Sequence, residues 1–184
     1  MKVVGFAGSP RKDGNTDVLV QQVLDGAMEA GADVEKFYIN DMNIKGCQGC
    51  NYCRSVDGCK IDDDMTKAYE ALRDADGFVF GSPIYFFQLT GQMRQFIDRC
   101  FALLNPDLIS RLEAGKKAVI VGAHGAPDVG AFNTVYAEFS QILQMFGMDV
   151  KGTFVDIGHH APGEVKENTG LMEQAKIAGT KIFD

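Results

Sequence analysis

Short apolar segments alternate with longer segments of helical periodicity along most of the chain. An apolar strand at residues 2–7 is followed by a helical pattern at 15–30 and a second strand at 33–39, which predicts a βαβ unit. The same alternation predicts helices at 63–75, 89–104, 132–146 and within 164–182, and strands at 77–81, 117–122 and 149–156. Five strands and five helices are therefore expected.

The predicted strands have the pattern of a parallel sheet. Residues 78–80 and 118–121 are continuous apolar runs without alternation, as expected when helices cover both faces of a sheet. Five such strands suit an α/β fold with a three-layer, doubly wound sheet of five parallel strands in the order 2-1-3-4-5, the flavodoxin-like fold. Ligands of this fold bind beyond the carboxyl ends of the strands. Because repeats and linkers are absent, one domain is expected over residues 1–184, with one long irregular segment at 43–62.

Composition and charge limit the kinds of binding partner and the cellular compartment that we expect for this chain. Lys and Arg total 18 against 25 for Asp and Glu, a net charge of −7, so a basic nucleic-acid surface is not expected. The apolar start is interrupted at residues 9–12, too early for a signal peptide, and no run reaches the roughly 20 apolar residues of a membrane span. We therefore expect a cytoplasmic protein without a membrane partner, in which clustered cysteines indicate metal or redox chemistry.

The first strand runs into a polar loop, residues 8–16, which we call the phosphate loop. The helix that follows offers unpaired N–H groups and a positive dipole end, and Ser9, Asn15 and Thr16 add side-chain donors for a phosphate. Neither the Gly-Lys-Ser/Thr of nucleoside triphosphatases nor Gly-x-Gly-x-x-Gly is present, which favours a mononucleotide. The alternative is a polar turn in which Asn15 is an ordinary helix cap.

Two further loops are predicted at the same edge of the sheet. In residues 81–88, aromatic side chains can cover a flat ring system while Ser82 contacts polar ring atoms; alternatively, Phe86 and its neighbour fill the core or an interface. In residues 123–130, glycines let backbone N–H groups approach a ligand carbonyl, and His124 either assists or is solvated. Three loops therefore point to one ligand.

Four of the five cysteines are clustered in the irregular segment at 43–62, which we call the cysteine segment. They are Cys47, Cys50, Cys53 and Cys59. Four thiolates at this close spacing can hold one cuboidal iron–sulfur cluster; an empty or redox-active set of thiols and a zinc site are the alternatives. The fifth, Cys100, is expected in the core, and the acidic residues 62–64 are expected to cap the next helix.

The two stretches at 8–16 and 81–85, together with Met93-Arg-Gln-Phe-Ile-Asp-Arg99, resemble the NADPH-dependent FMN reductase family of the flavodoxin-like superfamily. The resemblance covers about residues 1–125. It implies FMN, reduced by NAD(P)H, with its phosphate on the phosphate loop and its ring between the other two loops, and no protein acid–base residue is required. The implied FMN ligands are Ser9, Arg11, Asn15, Thr16, Ser82, Pro83, Ile84, Tyr85, Phe86, His124 and Gly125.

The cysteine segment, with Gly58-Cys59 and the acidic run after it, resembles the iron–sulfur flavoproteins of anaerobic prokaryotes, a branch of the same superfamily. This resemblance implies that the four clustered cysteines bind a [4Fe–4S] cluster that exchanges electrons with FMN. It also implies a homodimer or homotetramer, for which the aromatic residues 85–87 suit an interface.

Two functions of different kinds follow from these features. The first is an FMN-dependent oxidoreductase that reduces a small acceptor such as a quinone or free flavin. The second is an electron carrier that relays electrons between ferredoxin-like partners and has no small-molecule substrate. A non-redox module that binds phosphate for regulation is a third hypothesis, and it predicts a colourless protein.

Overall fold

The computed structural model describes all residues, 1–184. Its strands are β1 (Lys2–Ala7), β2 (Asp33–Tyr38), β3 (Gly77–Tyr85), β4 (Gln88–Leu89), β5 (Lys117–His124) and β6 (Asp149–Ile157). Its helices are α1 (Asn15–Glu29), α2 (Met65–Asp74), α3 (Gly91–Cys100), α4 (Asn133–Met145) and α5 (Thr169–Thr180). Short 3₁₀ turns occur at Ile39–Asp41, Tyr52–Arg54, Phe101–Leu103 and Glu164–Glu167.

The five long strands form a parallel sheet in the order β2-β1-β3-β5-β6. The two-residue strand β4 pairs antiparallel with the end of β3 and lies off this path. The predicted order 2-1-3-4-5 is therefore confirmed, since β5 and β6 are the fourth and fifth parallel strands. The fold is flavodoxin-like, with the additional short strand that the sequence pattern does not predict.

Helices cover both faces of the sheet, as the continuous apolar runs predict. The larger core packs α2, α3 and α4 on one face, where Phe6, Phe78, Phe80 and Phe96 are buried in mutual aromatic contact. The smaller core packs α1 and α5 on the other face, against valines of β3 and β5. Only the edge strands β2 and β6 alternate between more and less exposed positions. Three layers result, and all parallel strands end at one edge.

Strands β3 and β5 extend further than their sequence patterns predict. Ser82 and Pro83 pair in parallel register with Gly122 and Ala123, although the sequence predicts a loop from residue 81. The turn signal of Ser82-Pro83 is overridden because β5 continues beside it, and β4 pairs with the next two residues, Ile84 and Tyr85. Residues 82–85 and His124 are thus strand ends, which fixes their direction better than a loop would.

The hairpin between β3 and β4 has an aromatic tip. Phe86 and Phe87 have φ values of 45° and 69°, a left-handed conformation that bulky residues seldom adopt. Both side chains are exposed, at 96% and 72%. Neither ring therefore fills the core.

No helix of the chain combines the length and the apolar character needed to cross a membrane.

Helices α1 and α5 meet backbone to backbone, which leads to a prediction about Gly179. A Cβ there would overlap the carbonyl oxygen of Val23, whereas a Cβ at Gly170 on the same helix would have no neighbour closer than 4.0 Å. We expect Gly179→Ala to lower the free energy of unfolding by about 1–3 kcal/mol because the helices must move apart. Gly170→Ala should leave it unchanged or raise it by up to about 1 kcal/mol. Urea unfolding of both variants measures the difference, and equal stability would contradict the close packing.

Candidate functional site

The phosphate loop is held in shape by its own hydrogen bonds. The Ser9 hydroxyl oxygen accepts from Arg11 N at 3.1 Å, and Asp13 N donates to the buried carboxylate of Asp17 at 2.8 Å. Asp13 has a φ of 60°, and Asp17 is in turn paired with Lys36 at 2.5 Å. The chain therefore turns tightly into α1, and the N-terminus of that helix faces the carboxyl edge of the sheet.

Two side chains at the start of α1 have donors to spare. The hydroxyl of Thr16 is buried without a partner. Asn15 accepts from Val165 N through its Oδ1 at 3.2 Å, so the amide N–H groups of Asn15 are left for another group. Buried donors at a helix N-terminus are stabilised by an anion. The residues present therefore fit a phosphate.

Nine of the eleven predicted cofactor residues line one cavity at this edge of the sheet, which we call the edge cavity. They are Ser9, Arg11, Asn15, Thr16, Pro83, Ile84, Tyr85, His124 and Gly125. Ser82 lies beneath it instead, because its buried hydroxyl accepts from Thr90 N at 3.1 Å. Phe86 points outward from the hairpin tip and borders a separate depression. The cavity thus brings together all three predicted segments.

His124 is a buried residue at the end of β5 and not a solvated one. Its ring packs edge-on against Phe132, with 4.9 Å between centroids, and its Nδ1 has no hydrogen-bond partner. A buried imidazole nitrogen without a partner is costly unless a ligand or water satisfies it. His124 can therefore contact a polar atom of a molecule in the edge cavity.

Two further histidines, His159 and His160, line the edge cavity, although their position before Ala161-Pro162-Gly163 predicts only a solvated loop. His159 Nδ1 lies 2.7 Å from Oδ1 of Asp156, which is fully buried at the end of β6. This hydrogen bond raises the pKa of His159. His160 lies over Gly125, where a Cβ would come within 2.5 Å of the imidazole. Residues 158–165, which we call the histidine loop, thus form one wall of the cavity.

The four clustered cysteines line a second cavity together with residues of α3 and the turn after it. Cys47 and Cys50 are exposed, Cys53 and Cys59 are half-buried, and all four are free thiols. Burial raises the pKa of Cys53. Nowhere in the chain do three potential ligands come close enough together to hold a single metal ion.

A buried ion pair connects the two ends of the cysteine segment to α3. Arg99 donates to Asp63 at 2.6 and 3.0 Å and to the carbonyl oxygens of Lys45 and Ile61 at 2.7 and 3.4 Å. Asp63 accepts from Lys45 N at 2.9 Å and from Met65 N at 3.1 Å. The sequence predicts only that Asp63 caps α2. In the structure Asp63 also fixes the cysteine segment in place.

A single helix contacts both regions. The hydroxyl of Thr90, which caps α3, donates to the carbonyl of Gly8 at 2.7 Å, and Met93 packs against the Cα of Gly8. Arg99 lies at the other end of this helix. The phosphate loop and the cysteine segment are thus connected through about 14 Å of helix.

Comparison with known proteins identifies the family. Residues 1–161 match the family described as NADPH-dependent FMN reductase. The chain belongs to this family. An iron–sulfur flavoprotein of Methanocaldococcus jannaschii is 31% identical over 100% of this chain and 96% of its own length. An iron–sulfur flavoprotein of Archaeoglobus fulgidus is also 31% identical, over 100% of this chain and 80% of its own length.

This FMN reductase family member also has a solved structural neighbour. An NAD(P)H:quinone oxidoreductase from Methanothermobacter marburgensis has a TM-score of 0.74 and 18% identity, over 98% of each chain, which shows a shared fold. Membership in the FMN reductase family makes the protein a flavin-dependent oxidoreductase and supports the predicted FMN and NAD(P)H. The family resemblance predicted from the sequence is confirmed.

Proposed function

We propose that this protein is an FMN-dependent oxidoreductase that accepts electrons from NAD(P)H and carries a [4Fe–4S] cluster on the cysteine segment, which exchanges electrons with FMN. The observation that carries the proposal is the edge cavity, where an anion-binding helix N-terminus and the ends of β3 and β5 line one space. The names of the relatives, iron–sulfur flavoprotein, support the second cofactor.

The edge cavity suits FMN at both of its ends. Ser9, Arg11, Asn15 and Thr16 are assigned to the phosphate, because they surround the N-terminus of α1 with donors. The end of β3 and the His124-Gly125 pair flank the ring, and His124 offers its unpaired Nδ1 to a polar ring atom. Bound FMN supplies hydride acceptance and onward electron transfer, while the protein positions it.

The cysteine segment suits an iron–sulfur cluster better than zinc. Structural zinc sites usually pair two short Cys or His knuckles across a longer spacer, and three cysteines at successive intervals of three residues suit that arrangement poorly. A cuboidal cluster separates its ligands more widely, because each thiolate binds a different iron atom. The four thiols surround a shared cavity, and Arg99 holds both ends of the segment. The chain therefore offers four thiolates on an anchored segment.

An electron carrier is the second candidate, and the exposure of Cys47 and Cys50 favours it. A cluster bound there would have one side open to a protein partner such as a ferredoxin-like donor. The two candidates differ in what reduces the flavin under anaerobic conditions. An oxidoreductase is bleached rapidly by NAD(P)H, whereas a carrier responds only to the reduced protein donor.

Anaerobic purification followed by absorbance spectroscopy and by iron, sulfide and flavin analysis tests both cofactors. We expect a flavin spectrum with additional broad absorbance, and iron and sulfide in equal amounts. A protein that is colourless and does not bind added FMN would overturn the proposal. A yellow protein free of iron and sulfide after anaerobic reconstitution would leave FMN and refute the cluster.

Arg11→Ala tests the assignment of the phosphate. We expect it to weaken FMN binding about tenfold and to leave riboflavin binding unchanged, because a charge-assisted hydrogen bond to phosphate is lost. Lys12→Ala is the matched control, since Lys12 does not line the edge cavity and pairs with Asp41 at 2.6 Å. Fluorescence titration of the flavin-free chain gives both affinities. Equal loss for FMN and riboflavin would refute a phosphate contact.

A further inference from the structure

The pair formed by Asp156 and His159 has the geometry of an oriented donor. The carboxylate of Asp156 is fully buried, and the imidazole of His159 is the group that meets it, through Nδ1 at 2.7 Å. The remaining ring nitrogen, Nε2, has no partner within the chain, and His159 lines the edge cavity. A carboxylate bound to one imidazole nitrogen fixes the ring and leaves the other nitrogen as the available donor.

The histidine loop is anchored on the phosphate loop. Val165 N donates to Asn15 Oδ1 at 3.2 Å, and Gly163 lies close to the carbonyl of Asp13. The carboxylate of Glu164 accepts from the backbone N–H groups of His160 and Ala161, both at 2.8 Å. The 163–165 end of the loop is therefore fixed beside the N-terminus of α1, where the phosphate is assigned, and His159 lines the same cavity.

The charges around the edge cavity are a second reason to place an anion beside His159. A phosphate monoester carries about −1.5 to −2 charges at pH 7, and Arg11 is the only lysine or arginine that lines the edge cavity. The buried carboxylate of Asp156, which contacts the cavity-lining His159, would repel such an anion if it stood alone. A protonated His159 cancels that charge and adds a second cationic donor. Near an anion site, the negative charge of the Asp156 carboxylate therefore requires the compensating positive charge of His159.

We infer that His159 is a ligand of the FMN phosphate and that Asp156 is the residue that positions it. This inference rests on the proposed function, because it assigns a further ligand to the same cofactor. It makes the histidine loop part of how the protein selects a phosphorylated flavin over riboflavin.

Paired titrations of the flavin-free, full-length chain with FMN and with riboflavin test the inference. We expect His159→Ala to weaken FMN binding about tenfold or more while riboflavin binding changes less than twofold, since the lost contact is to the phosphate. Asp156→Asn should lower FMN affinity in the same direction by a smaller factor. His160→Ala is the matched neighbour, and its effect on the two flavins should be equal.

The outcomes separate this inference from the proposed function. Wild-type protein that binds neither flavin overturns both. If Arg11→Ala weakens FMN selectively and His159→Ala does not, the phosphate assignment stands and the role of His159 is refuted. Equal loss of FMN and riboflavin in His159→Ala indicates a structural role and also refutes it. Tighter FMN binding in Asp156→Asn would refute the positioning role of the carboxylate.

Discussion

Replacing Arg99 by methionine is expected to lower the free energy of unfolding by about 3–5 kcal/mol, because it leaves the buried carboxylate of Asp63 without its counter-charge. Both side chains are almost completely buried. The variant also removes the hydrogen bonds to Lys45 and Ile61, so the two ends of the cysteine segment lose their shared anchor. Chemical unfolding measures the stability, and the rate of thiol labelling measures the local loosening.

Arg94→Met provides the control on the same helix. Arg94 pairs with Asp98 at 3.2 Å, but both side chains are exposed, so the loss should be within about 1 kcal/mol. Similar losses for the two variants would contradict the anchoring role of Arg99. So would a large loss in Arg99→Met without faster labelling of the clustered thiols.

The pH dependence of Asp63→Asn tests the same pair from the other side. Burial alone would raise the pKa of Asp63, but hydrogen bonds from Arg99, Lys45 N and Met65 N more than offset it, and the pKa is lowered. Its stabilising contribution is therefore present above the unfolded pKa of about 3.9 and is lost as the pH falls through the lower folded value. Wild type should exceed the variant in stability at neutral pH, and the difference should shrink below about pH 4.

The sequence pattern predicts well the elements whose signal is local. Strand β1 has the predicted bounds, since its apolar run stops at a glycine and a polar loop. The ends of β3 and β5 are not predicted, because Ser82-Pro83 has the composition of a turn and becomes strand only by pairing with Gly122 and Ala123. A two-residue strand such as β4 has no period to detect.

The candidate site shows the same contrast between features that are local in the sequence, which can be predicted, and features that depend on the fold, which cannot. The phosphate loop is recognisable because its donors are adjacent in sequence. Arg99 and Asp63 are 36 residues apart, and no spacing rule connects them. Asp156 and His159 are only three residues apart, yet they meet because Gly158 adopts a φ of 76° and reverses the chain between them. A conformation of that kind depends on the surrounding fold, so the sequence indicates only an exposed loop.

The phosphate loop and the cysteine segment are held in place in different ways. The phosphate loop is fixed by its own hydrogen bonds and the histidine loop is hydrogen-bonded to it, so we expect the proposed FMN site to be formed before the cofactor binds. The cysteine segment is anchored at its ends by Arg99, and Arg111 holds it in the middle through the carbonyl of Cys53 at 3.1 Å. Its thiols remain apart, so we expect a cluster to complete the order of this segment when it binds.

Cys53→Ser is accordingly expected to abolish the cluster and to spare the flavin. Serine keeps the size of the side chain but is a poor iron ligand, so iron and sulfide should fall from near stoichiometric amounts to traces, while FMN content stays at the wild-type level. Anaerobic purification with iron, sulfide and flavin analysis measures all three.

Cys100→Ala is the control for Cys53→Ser. Cys100 is buried on α3, outside the cavity that the four clustered cysteines line, and burial raises the pKa of its thiol. It should keep its full iron content. Iron and sulfide retained by Cys53→Ser would contradict the ligand assignment.

Wild-type protein with one zinc per chain and no sulfide would instead identify the zinc alternative. Metal-free protein whose clustered thiols oxidise reversibly to disulfides would identify a redox-active thiol set. Each result assigns a different chemistry to the same four side chains.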